Sequence, residues 1–203
     1  MEILFEDRHL IVLNKACGEV VVAGRNLKDK PLNRVLSEKF GQTIYPLHRL
    51  DKETSGVCLF AKDAETQRRL SHLFETRQIQ KTYLALVEGK VEGQGTINAP
   101  LKLFGSGRTG VSKAGKPSLT DYHALKNGAF ASLLEVSPKT GRRHQIRAHL
   151  YSIGHPILGD SLYGHPQIPA PRLMLHAFKI SIPKESWPTF EAPLPKDFEN
   201  FIP

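Results

Sequence analysis

A single aspartate, Asp51, lies among side chains that could make it chemically active. His48 and Arg49 precede it and Lys52 follows it, so positive charge surrounds the carboxylate and favours its ionised form. The apolar run 57–61 comes soon afterwards and predicts a buried strand. We therefore expect Asp51 on a tight turn at the edge of the core, where it could act as a nucleophile or a base.

A purely structural interpretation of the same residues is also open. An aspartate followed by Thr54-Ser55-Gly56 is typical of an Asx turn, in which the side chain of Asp51 accepts hydrogen bonds from downstream amides. The turn chemistry alone does not separate a structural aspartate from a catalytic one.

A second dense stretch occupies residues 140–150. Ile146, Leu150 and Ile153 recur at i, i+4 and i+7, which predicts a helix docked on the core. This helix would carry several of the remaining polar candidates, so its placement decides what they can contact.

Arginines crowd the predicted helix. Arg142, Arg143 and Arg147 would share a short surface beside His144, with Arg143 and Arg147 neighbours at i, i+4. Like charges so close repel each other, and an anion between them would offset that cost. The formal net charge of +8 and a pI of about 9.5 also favour a polyanionic partner, RNA or DNA.

Other chemistries lack support in the sequence. His144 and His149 are five residues apart, which is about 140° around a helix, so they cannot share one metal ion. No Gly-x-Ser-x-Gly elbow of a serine hydrolase occurs. Glycosidase chemistry needs a second acid facing Asp51, and nothing fixes the direction of Glu53.

Tyr83 is a further candidate for a residue of the functional site. It lies in a predicted strand at 81–89, where Tyr83, Ala85 and Val87 share one face. The tyrosine is either a half-buried strand aromatic or a residue that presents its ring and hydroxyl to a pocket.

The elements that must position these residues can be outlined from the first half of the chain. Residues 2–15 predict two strands, and 20–23 predict a further β segment. Helices are predicted at 31–40, and at 64–77 with Asp63 as the N-cap.

The second half reads less clearly. Residues 90–118 show little periodicity, and 105–110 predict a flexible loop. Strands at 120–125 and 131–136 form a predicted hairpin around Asn127-Gly128, and 173–180 predicts a last strand.

The apolar runs, the N-terminus and the cysteines of the 203-residue chain indicate where in the cell the protein works. No apolar run is long enough to cross a membrane and no secretory signal opens the chain. Cys17 and Cys58 lie in apolar contexts and are expected to be reduced, so we expect a cytoplasmic protein.

Four segments together resemble the RluA-type pseudouridine synthases, which isomerise uridines in ribosomal and transfer RNA. In the family's order they are His48-Arg49-Leu50-Asp51 with Thr54-Ser55-Gly56, Lys81-x-Tyr83-x-Ala85-x-Val87-x-Gly89, Thr140-Gly141-Arg142-x-His144-Gln145-Ile146-Arg147-x-His149, and His155-Pro156-Ile157-Leu158-Gly159-Asp160. The resemblance covers nearly the whole chain. It departs at Lys15-Ala16, where the family usually has Lys-Pro, and there is no room before Ile3 for the S4 RNA-binding domain of many relatives.

The resemblance implies roles for individual residues. Asp51 would start cleavage of the N1–C1′ bond of uridine, before the base rotates and rejoins through C5. Either covalent attack or removal of the ribose 2′ proton is consistent with this role. Tyr83 would pack on the flipped base and serve in proton removal from C5, Arg147 would pair with Asp51, and Arg49 would fill the gap that the flipped uridine leaves.

The resemblance also implies a fold and partners. We expect an α+β fold, with a mixed, largely antiparallel sheet flanked by helices and a central RNA-binding cleft, as a single domain over residues 1–203. The reaction would need no metal or cofactor. The partner would be an RNA stem-loop, ribosomal or transfer, and the protein a monomer. Further RNA contacts are predicted for His48, Arg142, Arg143 and His144.

Two alternatives remain at this point. The chain could be a non-catalytic RNA-binding or RNA-chaperone module of the same fold, with Asp51 only stabilising its turn. It could also be a nuclease, which would cut the strand and depend on Mg²⁺.

Overall fold

The chain divides into two units. The apolar runs 10–13 and 57–61 form neighbouring strands of the first unit. The computed structural model describes residues 1–24, 29–164 and 169–202. The first unit comprises Met1–Gln80 and Ala177–Pro193, and the second comprises Lys81–His176 and Leu194–Pro203. The predicted single domain remains a prediction.

The secondary structure is α+β. In chain order the elements are β1 (Glu2–Glu6), β2 (Leu10–Lys15), α1 (Leu32–Phe40), β3 (Tyr45–Pro46), β4 (Ser55–Ala61), α2 (Ala64–Glu75), β5 (Gln80–Glu88), β6 (Gln94–Asn98), β7 (Leu101–Leu103), β8 (Thr109–Val111), β9 (Leu119–Asn127), β10 (Ala131–Pro138), α3 (Gln145–Ser152), β11 (Leu175–Ser181), β12 (Phe190–Glu191) and α4 (Lys196–Glu199). The predicted fold class, an α+β fold with a largely antiparallel sheet, is confirmed.

In the first unit, β2 runs antiparallel to both β1 and β4. Leu10 pairs with Ala61 and Lys15 pairs with Gly56, so the two apolar runs lie side by side. α2 covers them with Leu70, which is completely buried. Asp63 caps this helix as predicted, because its carboxylate accepts from the N–H of Thr66 at 2.7 Å.

In the second unit, the strands follow the order β5-β10-β9-β6, with antiparallel pairing throughout. The predicted hairpin is confirmed as β9 and β10, whose loop is closed by the N–H of Gly128 donating to the carbonyl of Ala131 at 2.9 Å. β7 and β8 form a separate two-stranded sheet. β6, β7 and β8 were not predicted, and the flexible loop predicted at 105–110 was wrong at its end, where β8 begins.

The β segment predicted at 20–23 is absent. The carbonyls of Val20 and Val21 instead accept from the first N–H groups of α1, those of Leu32 and Asn33, at 2.7 and 3.3 Å. This helix follows Pro31 and has no side-chain cap, so backbone carbonyls satisfy donors that a helix start leaves unpaired. Gly41 ends it in the left-handed conformation, φ 65°.

Candidate functional site

Asp51 lies in the first unit, in the short loop that leads into β4. The residue is half-buried, whereas its neighbours Leu50 and Thr54 are buried. The N–H of Thr54 donates to the backbone carbonyl of Asp51 at 3.1 Å and closes the turn. The predicted tight turn is present, and its closing bond comes from the main chain.

A buried lysine braces this turn from the end of β2. Lys15 is 0% exposed, and its Nζ donates to the backbone carbonyls of Ala16, Glu19 and Lys52 at 3.0, 2.8 and 3.0 Å. An ammonium group has three N–H donors, so all of them are used here. Lys15 therefore fixes the residue that follows Asp51.

Burial lowers the pKa of Lys15, because loss of water disfavours the charged ammonium. The three carbonyls replace part of that hydration. Sequence reasoning missed this role, although a single lysine ending the apolar run 10–13 was a visible signal. The turn is thus held by a polar group inside the core.

The backbone of Ala177 requires a glycine at position 56, where the Asp51 stretch ends. The φ of Gly56 is +113°, and a Cβ there would lie 2.2 Å from the carbonyl oxygen of Ala177. A side chain at this position would displace the strand directly after the turn. The Thr-Ser-Gly sequence therefore has a steric basis as well as a turn propensity.

The three polar neighbours of Asp51 lie in different surroundings. His48 accepts a hydrogen bond at Nε2 from the N–H of Leu59 at 3.1 Å, and its ring stacks on Phe74 with centroids 5.0 Å apart. Lys52 donates to Asp29 at 2.7 Å. Arg49 is exposed. His48 thus helps to hold the loop, and RNA contacts by His48 and Arg49 remain predictions.

Tyr83 lies in the second unit, on β5. It is half-buried and pairs in register with Val136 of β10, while Leu84 and Ala85 after it are buried. Both faces of this part of β5 are therefore covered, and the phenol ring is held on a rigid strand. This placement suits either of the interpretations that the sequence allowed.

Arg147 is buried rather than exposed on a helix surface. Its Nε and Nη2 donate to the two carboxylate oxygens of Asp160, both at 2.7 Å, and the side chains are 3% and 0% exposed. Asp160 also accepts from the N–H groups of Leu162 and Tyr163 at 2.9 and 3.1 Å. A bidentate pair of this kind fixes the plane of the guanidinium.

Asp160 is a residue whose role sequence reasoning missed. Its signal was the last motif of the resemblance, which ends at Gly159-Asp160. The ring of Tyr163 lies 5.3 Å from the guanidinium carbon of Arg147, so the arginine is held on two sides. The predicted pairing of Arg147 with Asp51 remains a prediction.

The expected crowd of arginines on one helix face was wrong. α3 begins at Gln145, because His144 adopts the left-handed conformation, φ 51°, so Arg142 and Arg143 precede the helix. These two arginines line a depression on the second unit instead. His144 lies against Tyr163, with Nδ1 and the phenol oxygen 3.3 Å apart.

Gln145 organises the start of α3. Its Oε1 accepts from the hydroxyl of Thr140 at 2.7 Å and from the N–H of Arg142 at 3.0 Å. Its Nε2 donates to Thr120 Oγ1 at 3.0 Å, and that hydroxyl lies 2.8 Å from Nδ1 of His149. His149 is therefore a buried packing residue that keeps the helix in place.

Two features are absent from the described part of the chain. It contains no cluster of three or more His, Cys, Asp or Glu side chains suited to a metal ion. It also contains no helix long and apolar enough to cross a membrane.

Comparisons with known proteins agree with the motifs. The family described as RNA pseudouridylate synthase matches residues 9–152. The chain is 38% identical to the ribosomal large subunit pseudouridine synthase D of Nitrosomonas europaea, over 100% of this chain and 64% of that protein. It is 40% identical to the dual-specificity RNA pseudouridine synthase RluA of Pasteurella multocida, over 95% of this chain and 93% of that protein.

Solved structures give the same assignment. The human RNA pseudouridylate synthase domain containing 1 is 29% identical and superposes with a TM-score of 0.81, over 97% of this chain and 84% of that one. The matched range contains Asp51, Tyr83 and Arg147. Family motifs, relatives and fold thus converge, and the chain belongs to the RNA pseudouridine synthase family, of the RluA type.

Proposed function

We propose that the chain is an RNA pseudouridine synthase that isomerises specific uridines in ribosomal or transfer RNA. The observation that carries the proposal is the braced turn of Asp51 within the family match over residues 9–152. The named relatives act on RNA, and the net charge of +8 suits a polyanionic substrate.

Asp51 is the group that starts the reaction. The N1–C1′ bond of the target uridine breaks, the base turns over, and a C5–C1′ bond forms. Asp51 either attacks the sugar or removes its 2′ proton. Each step requires the carboxylate in a fixed position, which the main-chain bond to Thr54 and the Lys15 brace supply.

Arg147 and Tyr83 complete the chemistry. We assign Arg147, whose guanidinium Asp160 orients, to aim the Asp51 carboxylate, as the family resemblance implies. Tyr83 packs on the flipped base and takes part in removing the proton from C5. In this proposal the isomerisation needs no metal ion and no cofactor.

RNA binding must include extraction of the target base. Flipping a uridine out of its stack costs about a few kcal/mol. Arg49 is exposed and offsets this cost by filling the gap, since a guanidinium can stack on bases. His48, Arg142, Arg143 and His144 bind the surrounding stem-loop, and the protein acts in the cytoplasm as a monomer with a single domain.

The test is Asp51→Asn, which keeps the size of the side chain and removes its charge. Pseudouridine formation, mapped at single sites in total RNA, should be lost while RNA affinity changes by only a few fold. Normal product formation would refute the role of Asp51. The reaction should proceed in EDTA with the strand intact, whereas strand cleavage would indicate a nuclease.

A further inference from the structure

Four basic side chains converge on one depression of the second unit. Its volume is about 280 Å³, and its lining includes Lys102, Lys116, Arg142 and Arg143 but no acidic residue. We call this site the basic depression. Like charges brought together repel, so the arrangement is stabilised when an anion lies among them.

Two polar atoms at the basic depression lack a hydrogen-bond partner among the described residues. One is Oγ1 of Thr109, a lining residue that is 3% exposed, and the other is Nε of Arg142. Buried polar atoms nearly always have a partner. A hydroxyl and a guanidinium N–H are both donors, and the oxygens of a phosphate group would satisfy them.

One wall of the basic depression is fixed by a close main-chain contact. Leu101 and Lys116 exchange two backbone hydrogen bonds of 2.9 and 2.8 Å. A Cβ on Gly115 would lie 2.6 Å from the carbonyl carbon of Leu101, so only glycine allows this approach. Lys102 and Lys116 are therefore brought together by the backbone.

The backbone of two further lining residues, Arg142 and Thr109, is also held by hydrogen bonds. Gln145 holds the backbone of Arg142, and Arg143 is the next residue along the chain. The backbone of Thr109 is bonded in both directions to the hydroxyl of Tyr163, at 2.8 and 2.9 Å. The backbone that carries Thr109 and Arg142 is thus fixed before any ligand arrives, which lowers the entropic cost of binding.

The surroundings favour a phosphate that belongs to a nucleic acid. Leu103, which lines the depression, and the adjacent Phe104 are 52% and 43% exposed. Nζ of Lys102 lies 6.0 Å from the centre of the Phe104 ring. An exposed ring beside a cation gives a nucleotide a surface on which its base can stack. An inorganic ion would make no use of it.

We propose that the basic depression is a phosphate-binding subsite that holds a backbone phosphate of the substrate RNA. The inference rests on the proposed function for its ligand. Lys102, Lys116 and Thr109 are assigned to it together with Arg142 and Arg143. The same chemistry could accept free phosphate, and the experiment separates the two sources.

The experiment measures affinity against salt for a short RNA stem-loop with an all-uridine loop. Single variants Lys102→Ala, Lys116→Ala and Arg143→Ala are made in the Asp51→Asn protein, so that RNA is not converted. Each should reduce the steepness of log K against log salt, by at most about 0.7–0.9, the value for complete loss of one phosphate contact. Thr109→Val keeps the charge, so it should weaken binding and leave the slope unchanged.

Lys113→Ala is the matched control, because Lys113 is exposed on the same segment but does not line the basic depression. Its slope should equal that of the parent protein. Thermal unfolding of every variant checks that the fold is intact.

A second arm tests the source of the phosphate. Inorganic phosphate is titrated against chloride at equal ionic strength, with thermal stabilisation as the readout. Unchanged RNA slopes with phosphate stabilisation that Arg143→Ala abolishes would overturn the RNA assignment in favour of a free anion. Unchanged slopes without stabilisation would overturn the subsite altogether.

The salt-dependence experiment can be interpreted separately from the test of pseudouridine formation. If wild-type protein forms pseudouridine and the slopes do not change, only the subsite fails. If the slopes change but wild-type protein forms no pseudouridine, the depression binds RNA and the catalytic proposal fails.

Discussion

Arg147 and Asp160 form a bidentate ion pair in the interior of the second unit, with both hydrogen bonds at 2.7 Å. Burying two charges is costly, and their attraction compensates only when the geometry is good and the remaining oxygens are satisfied. Here Asp160 has backbone donors as well. The pair is therefore better understood as a device that aligns Arg147 than as a source of stability.

Replacement of Asp160 by Asn should expose this dependence. The Asp160→Asn variant removes the carboxylate that holds both Nε and Nη2 of the buried Arg147, and breaking such a pair costs at most about 3–5 kcal/mol. We expect that loss in the free energy of unfolding, measured by urea denaturation, together with loss of pseudouridine formation.

Asp121→Asn is the comparison for this change. Asp121 pairs with Lys139 at 3.2 Å, and their side chains are well exposed. Removing an exposed pair should cost no more than about 1 kcal/mol. Equal losses for the two variants would contradict a special role for the buried pair.

Replacement of Lys15 by Met should loosen the turn of Asp51. The change keeps the length of the side chain but removes the ammonium donor from the carbonyls of Ala16, Glu19 and Lys52. The Ala16 and Lys52 carbonyls keep backbone donors, the N–H groups of Glu19 and Gly18. The cost is therefore at most about 1–3 kcal/mol, for the Glu19 carbonyl. We expect kcat to fall while the Kd for RNA changes little, because the turn and not the RNA surface is affected. The measurements are single-turnover kinetics and equilibrium binding.

Lys30→Met provides the matched control. Lys30 is an exposed lysine that pairs with Glu38 in the first unit. Its kcat and stability should stay near those of the wild type. A Lys15→Met enzyme with normal kcat would show that the brace does not position Asp51.

Removal of the Tyr83 hydroxyl separates ring packing from proton transfer. Tyr83→Phe keeps the ring area on β5, so RNA binding should persist while turnover is lost. Tyr122→Phe makes the same chemical change on β9 and should leave turnover intact. Near-normal turnover of Tyr83→Phe would reduce this tyrosine to a packing residue.

His149 predicts a dependence of stability on pH. Burial lowers its pKa below the ordinary value of 6.5, opposed by the bond to the Ala99 carbonyl. The unfolded chain therefore binds a proton more readily than the folded one as pH falls below 6.5. The contribution of neutral His149 to the free energy of unfolding is fully present above pH 6.5. It should decline below that pH, by at most about 1.4 kcal/mol per pH unit for one proton.

The measurement is the free energy of unfolding between neutral and mildly acidic pH. His149→Gln should flatten this profile, while His72→Gln, which alters an exposed residue of α2, should preserve it. An unchanged profile in His149→Gln would assign the acid sensitivity to other groups.

Local signals in the sequence were sufficient where the chain's own neighbours decide its structure. The Asp63 cap, the closing bond of the hairpin of β9 and β10 and the closing bond of the Asp51 turn all depend on contacts within a few residues. The family motifs then gave the candidate residues. Partners that are distant in sequence were not predictable in the same way.

Three expectations failed for reasons that periodicity does not report. The carbonyls of Val20 and Val21 pair with α1 instead of with a strand. β7 and β8 are short, and their pairing rather than their composition makes them strands. The third reason is a local backbone conformation, because the left-handed φ of His144 places Arg143 ahead of the helix.

Gly115 also offers a criterion for reading other chains of this family. Because any side chain at that position would collide with the backbone of Leu101, a relative with alanine there must separate the two segments that carry Lys102 and Lys116. Loss of this glycine in a relative therefore predicts a basic depression of altered shape. Comparing that marker with the RNA each relative modifies would link a backbone contact to substrate choice.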